Sequence, residues 1–326
     1  MQTALFKTKT MKTTGIILTL LLFQQMLNAQ IEMPEMIDMQ ASEIVDTSYT
    51  YQWIEEDESW EIYSRDLHFK DEERLVASIL NQRWYSDIGK WVNNEQTLKS
   101  YDSEGNEVQS ILQSWNQNAE DWINVQLKTT TYDRRGNEAE ILYQEWHRPT
   151  EEWFNTVVYL ISYNRDHDKS EVVVRTYRGM ENVWNNYLRF SFEYDRGYGN
   201  PDRVFVETWK QQEDQWQTFG RYNLAYNSRG DVTRETRATW SEAQNDWVLG
   251  VRYLLSYSRS KKTEDIEQRF DFASKQWINA LRQVIDYDEN GEIKEKAFYH
   301  WDRADNQWEL RQRFLYSDLK PESVES

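Results

Sequence analysis

The sequence predicts an all-β protein: a long antiparallel meander of about 18 strands, built from hairpin repeats of about 31 residues and coiled as an open spiral sheet or a wide barrel. Three observations predict it. Aromatic residues paired seven positions apart recur along the chain, as in WNQNAEDW (115–122) and WHRPTEEW (146–153). Between these pairs recur tyrosines that open polar, glycine-containing stretches: YDSEGN, YDRRGN, YNSRGD and YDENGE. The segments joining the two are about ten residues long and alternate in polarity with period two.

Taken in order, the chain opens with an export signal. Lys7, Lys9 and Lys12 precede the apolar run Gly15–Phe23. That run is far short of the roughly 20 residues that span a bilayer. Residues 1–29 are expected to be removed after Ala29, with Met11 as an alternative start. Losing three lysines and no acid takes the net charge from −18 to −21. Residues 30–50 read as a linker or N-terminal cap, 51–316 as the repeat domain, and 317–326 as a polar tail.

Within the repeat domain the aromatic pairs are Trp53/Trp60, Trp84/Trp91, Trp115/Trp122, Trp146/Trp153, Tyr177/Trp184, Trp209/Trp216, Trp240/Trp247, Phe270/Trp277 and Trp301/Trp308. These nine loops hold all 16 tryptophans. Tyrosines follow at 101, 132, 163, 194, 226, 257, 287 and 316. Short connections between strands of this length mean antiparallel hairpins. In the polar turns Gly105, Gly136, Gly230 and Gly291 supply a positive φ. In the aromatic loops the two end residues face each other across the hairpin, worth roughly 0.2–1 kcal/mol per pair. The residues between them need only be polar, which is why their identity drifts.

Counting even offsets from the second aromatic gives Trp247, Leu249, Val251, Tyr253, Leu255 and Tyr257 on one apolar face. Arginine recurs at offset five (Arg189, Arg221, Arg252, Arg282, Arg313) and is expected on a solvated face, paired with glutamates of neighbouring strands. A flat sheet of this many strands would be roughly 85 Å wide, and twisted sheets rarely exceed about ten strands without curling. The apolar face must therefore be covered by the sheet itself.

The alternating YDxxGN turns and WxxxxxxW loops resemble the tandem hairpin repeats of secreted proteins from Bacteroidota-type bacteria. The resemblance covers roughly residues 50–318, and the signal ending in NAQ fits it. A more distant similarity is to the YD repeats of RHS-type shell proteins, whose sheets spiral around a cavity. Together they imply an exported repeat scaffold and assign no catalytic residue. Many members of the first group carry a C-terminal sorting domain; the ten residues after Tyr316 do not match one.

Composition narrows the function. The chain is acidic, tryptophan-rich and free of cysteine. Its charge disfavours nucleic acid and anionic membrane surfaces as partners. Without cysteine there are no disulfides and no thiol nucleophile. His68, His147, His167 and His300 are scattered, and no GxSxG, HExxH or phosphate-binding glycine loop occurs. Asp286, Asp288, Asn290 and Gly291 match half of an EF-hand loop, but Ala297 stands where the bidentate glutamate belongs. NRDHD offers Asn164, Asp166 and Asp168 in the same way; both strings read equally as polar turns. No cofactor, metal or catalytic residue is expected.

The expectation is a non-enzymatic protein of the cell envelope, periplasmic or extracellular, acting as a scaffold or binding surface toward an unidentified protein or polysaccharide. The mature chain has no further apolar run to span a membrane. The alternative is a glycan-binding module, with candidate residues Trp115, Trp122, Trp146, Trp153, Trp209, Trp216, Trp240 and Trp247. Asn124, Asn155, Asn186 and Asn279, two places after a loop's second aromatic, are candidates for sugar hydroxyls. Lesser readings are an outer-membrane barrel and a glycoside hydrolase using a carboxylate pair.

Overall fold

The computed structural model describes residues 44–317, apart from 55–58, 72–73, 180, 196–198, 290 and 292. The expected signal and the tail beyond 317 lie outside the described residues. Eighteen strands follow one another: β1 (Ile44–Ile54), β2 (Ser59–Lys70), β3 (Val76–Tyr85), β4 (Lys90–Tyr101), β5 (Glu107–Asn116), β6 (Asp121–Tyr132), β7 (Glu138–His147), β8 (Glu152–Tyr163) and β9 (Lys169–Arg178). The second half is β10 (Val183–Glu193), β11 (Arg203–Lys210), β12 (Gln215–Tyr226), β13 (Val232–Ser241), β14 (Asp246–Ser258), β15 (Lys261–Asp271), β16 (Gln276–Tyr287), β17 (Ile293–Asp302) and β18 (Gln307–Ser317). The first strand begins at Ile44, inside the stretch read as a linker.

Each strand pairs antiparallel with the next, and β18 returns to β1 from Tyr49↔Ser317 to Gln52↔Phe314. The sheet is therefore a closed barrel, not an open spiral. What bends it is visible in the register. In every aromatic hairpin one residue is unpaired three places after the second aromatic: Tyr63, Asn94, Val125, Thr156, Tyr187, Phe219, Gly250, Ala280 and Arg311. A bulge bends its strand and sharpens the local twist. Repeated at one position in all nine hairpins, it gives each the same turn, and the curvature accumulates.

The bulge also corrects the face assignment. Beyond it the parity inverts, so Trp247 and Leu249 share a face with Arg252 and Leu254, not with Val251 and Tyr253. One face, the tryptophan face, carries the aromatic pairs and the offset-five arginines. The opposite face carries Val251, Tyr253, Leu255 and Tyr257 and their equivalents. Its densest part runs from β8 to β12, where Tyr159, Val172, Val174, Phe190, Val204 and Val206 are nearly or wholly shielded. Burial on this face raises the tyrosine hydroxyls; Tyr143 and Tyr222 are pushed up to about 12.

The strand-end tyrosines do more than open turns. Tyr132 donates its hydroxyl to the Glu107 carbonyl (2.8 Å), Tyr163 to Glu138 (3.0 Å), Tyr194 to Lys169 (2.7 Å), Tyr226 to Pro201 (2.6 Å) and Tyr287 to Lys262 (2.8 Å). Each acceptor lies 25 residues back, where the preceding strand leaves its turn. The tyrosines thus tie the two strands of each aromatic hairpin together at the end opposite its loop. Tyr163→Phe should cost about 1 kcal/mol, the net worth of one hydrogen bond, with little change in fold; urea denaturation measures it.

The eight aromatic loops in which it is described share a left-handed residue two places before the second aromatic: Gly89, Glu120, Glu151, Asn182, Asp214, Asn245, Lys275 and Asn306, with φ from 49° to 59°. A side chain there is strained by roughly 1 kcal/mol, and glycine relieves it. Lys275→Gly should therefore raise stability by about 0.5–1 kcal/mol; a lower thermal midpoint would show that the lysine stabilises the loop in some other way.

Candidate functional site

The candidate surface is the tryptophan face where the strands enter the aromatic loops. The nine pairs predicted from spacing are register partners, Trp115 opposite Trp122 and Trp146 opposite Trp153 among them. Their rings meet at 5.0–5.3 Å in tilted or edge-to-face geometry wherever both side chains are described. All eight candidate tryptophans (Trp115, Trp122, Trp146, Trp153, Trp209, Trp216, Trp240, Trp247) are half-buried. The structure brings them together only two by two, each pair on its own hairpin.

The second tryptophans have a further contact that spacing alone did not show. Arg65 lies over Trp91, Arg189 over Trp216, Arg221 over Trp247, Arg252 over Trp277 and Arg282 over Trp308, 4.5–6.0 Å from the ring centres. Arg313 lies over Trp60 and carries the series across the seam of the barrel. Each arginine comes from the preceding hairpin, so the contacts run around the sheet. Such a pair contributes about 0.5–1 kcal/mol when exposed and more when desolvated. The expected glutamate pairing is also present for three of them: Arg189–Glu207 (2.6 Å), Arg282–Glu264 (2.7 Å) and Arg313–Glu295 (2.8 Å). In three consecutive hairpins the offset-five position holds Gln96, Leu127 and Val158, and no cation stands over Trp122, Trp153 or Trp184 among the described residues.

The asparagines beside the loops are engaged within the sheet. Asn124 accepts from Gln113 (2.7 Å), Asn155 from Gln144 (2.9 Å), Asn186 from Arg175 (3.0 Å) and Asn279 from Gln268 (2.7 Å). The polar turns likewise employ the oxygens that resembled cation ligands. Asn164 Oδ1 accepts from the amides of Asp166 and Asp168. Asp133 does the same for Arg135 and Asn137, and the Asn137 side chain is the main cause holding its carboxyl below the usual range. Among the described residues no group of acidic or histidine side chains is arranged to hold a metal ion. The four histidines sit apart, His300 against Glu309 and Arg311, His147 beside Thr150, His167 beside Arg135 and His68 on β2.

A groove lies on this surface beside Trp153. It is lined by Gln144, Trp146, Glu151, Glu152, Trp153, Phe154, Asn155 and Tyr177 and encloses about 500 Å³, open to solvent. It lies where the next hairpin offers Tyr177 as its first aromatic.

No family model matches the chain, and no curated protein matches it. Solved structures do. A porin-like protein from Bacteroides uniformis superposes with a TM-score of 0.39 at 9% identity, covering 85% of this chain and 98% of its own. A DUF3836 family protein from Parabacteroides distasonis gives 0.25 at 18% identity over 29% of this chain and 86% of its own. The Photorhabdus luminescens Tc holotoxin pore gives 0.32 at 10% identity over 76% of this chain and 16% of its own. At these scores the similarities carry no argument about function.

Proposed function

We propose that this chain is an exported, non-enzymatic barrel of the cell envelope, a scaffold that presents its tryptophan loops as a binding surface. The observation that carries the reading is the closed sheet with aromatic pairs repeated at one level around it. The polar side chains between them are engaged with each other, which leaves the aromatic surface as the recurring feature open to a partner. Mid-strand charges lie on both faces. Arg189, Arg282 and Arg313 mark the tryptophan face; Glu235, Arg237, Glu267 and Arg269 mark the other. An outer-membrane barrel needs an uninterrupted apolar band, and neither face supplies one.

The test is fractionation of a Bacteroidota host producing the full chain. The expected product starts at Gln30 and is found in the periplasm or medium. A full-length chain retained in the cytoplasm would sink the reading. A second reading, a glycan-binding module, is favoured by the groove at Trp153.

A further inference from the structure

We infer that the groove between the Trp146/Trp153 loop and Tyr177 is a binding site for a neutral polysaccharide segment, an inference that rests on the binding-surface reading above. The loops are near-copies, so what matters is where they differ. Seven of the nine begin with tryptophan; this groove faces one of the two that do not. Tyr177 is smaller, and its hydroxyl is turned to Asn182 of its own loop. The groove beside Trp153 is open to solvent.

The lining suits a sugar. Among the described residues no cation engages the ring of Trp153, since Leu127 stands where six other hairpins place arginine. Aromatic faces stack on the C–H faces of pyranose rings through dispersion and burial of apolar area. Beside the rings stands the Gln144–Asn155 amide pair. Their mutual bond joins Gln144 Nε2 to Asn155 Oδ1. Gln144 Oε1 and Asn155 Nδ2 remain as one acceptor and one donor, the pair a sugar hydroxyl requires. Glu151 and Glu152 on the same wall repel an anionic chain. Trp146 and Tyr177 are two strands apart, roughly 10 Å. That span, with a volume near 500 Å³, accommodates roughly two or three sugar rings of a longer chain. An open, shallow groove also suits a polymer that passes through, where a small metabolite would need enclosure.

The test is affinity electrophoresis of the mature protein in gels containing neutral xyloglucan, neutral mixed-linkage β-glucan, or anionic polygalacturonate. Retardation is expected in at least one neutral gel and not in the anionic one. Tyr177→Trp supplies the residue that most loops carry there, so the thermal midpoint should hold while the larger indole narrows the groove and affinity falls roughly three- to ten-fold. Phe270→Trp, the same conversion in the other exceptional loop, should leave affinity unchanged. If no neutral glycan retards the protein, the inference fails while export remains judged by fractionation. If a glycan binds but Tyr177→Trp and Phe270→Trp behave alike, glycan binding stands and the groove assignment falls. Retardation by polygalacturonate as strong as by the neutral chains would overturn the choice of a neutral ligand.

Discussion

A chain beginning at residue 55, lacking β1, is expected to lose its native fold and aggregate, whereas the chain beginning at residue 30 stays monomeric. In an open repeat stack, removing a terminal unit costs about one interface. Here β1 pairs on one side with β2 over ten rungs and on the other with β18 over four, so its loss opens the barrel. It also removes Tyr49 and Tyr51, both nearly buried, and the contact of Tyr49 with Trp91 at 6.0 Å. What remains are two long unpaired edges, the 12 residues of β2 and the 11 of β18, each a template for pairing with another chain. Size-exclusion chromatography with far-ultraviolet circular dichroism compares the two chains. A monomeric, cooperatively folding product from the shorter one would show that closure is dispensable.

Alkaline unfolding between pH 10 and 12 is the second large effect. Tyr143, Tyr222 and Tyr253 have hydroxyls pushed from 10.0 up to about 12, with desolvation by burial the first cause in each. Tyr159 is raised for the same reason. In the unfolded chain these groups lose their protons near pH 10; in the barrel they keep them. Above pH 10 the unfolded state therefore binds fewer protons, and stability falls as pH rises. The contribution is complete below pH 10 and lost through pH 12. For Tyr222, only 5% exposed, a rise of this size corresponds to roughly 3 kcal/mol. Several such groups together rival the roughly 5–15 kcal/mol that holds a typical domain. Tyrosinate absorbance should rise in one cooperative step coincident with loss of the circular-dichroism signal. Tyrosinate formed with a midpoint at pH 10 while the strands persist would contradict the burial of this face.

Much of this molecule was legible because the repeat writes each constraint nine times. The seven-residue spacing placed the facing rings, since only cross-strand neighbours at a hairpin's mouth need a fixed separation. Gly105 and Gly136 marked the polar turns, with φ of 83° and 81°. Other features left weaker signals. Arg65 stands at offset five like the rest, yet its stacking on Trp91 joins hairpins two strands apart, which hairpin spacing does not specify. The asparagines read as sugar ligands, but Asn124, Asn155, Asn186 and Asn279 are met by Gln113, Gln144, Arg175 and Gln268, all 11 residues earlier. That interval was present in the sequence and could have revealed the pairing.

The sequence by itself determined the elements: strand after strand, aromatic loop and polar turn. These follow from local chemistry, from the period of two and from residues that tolerate left-handed backbone. The tertiary structure decided which residues share a face, and whether the sheet closes. A bulge changes no residue type, because any of Tyr63, Val125, Thr156 or Gly250 can occupy it. It is fixed by the pairing of a whole strand with its neighbour, and it inverts every side chain beyond it. Closure in turn depends on the sum of nine such bends bringing β18 to β1, a distance that only the assembled barrel sets.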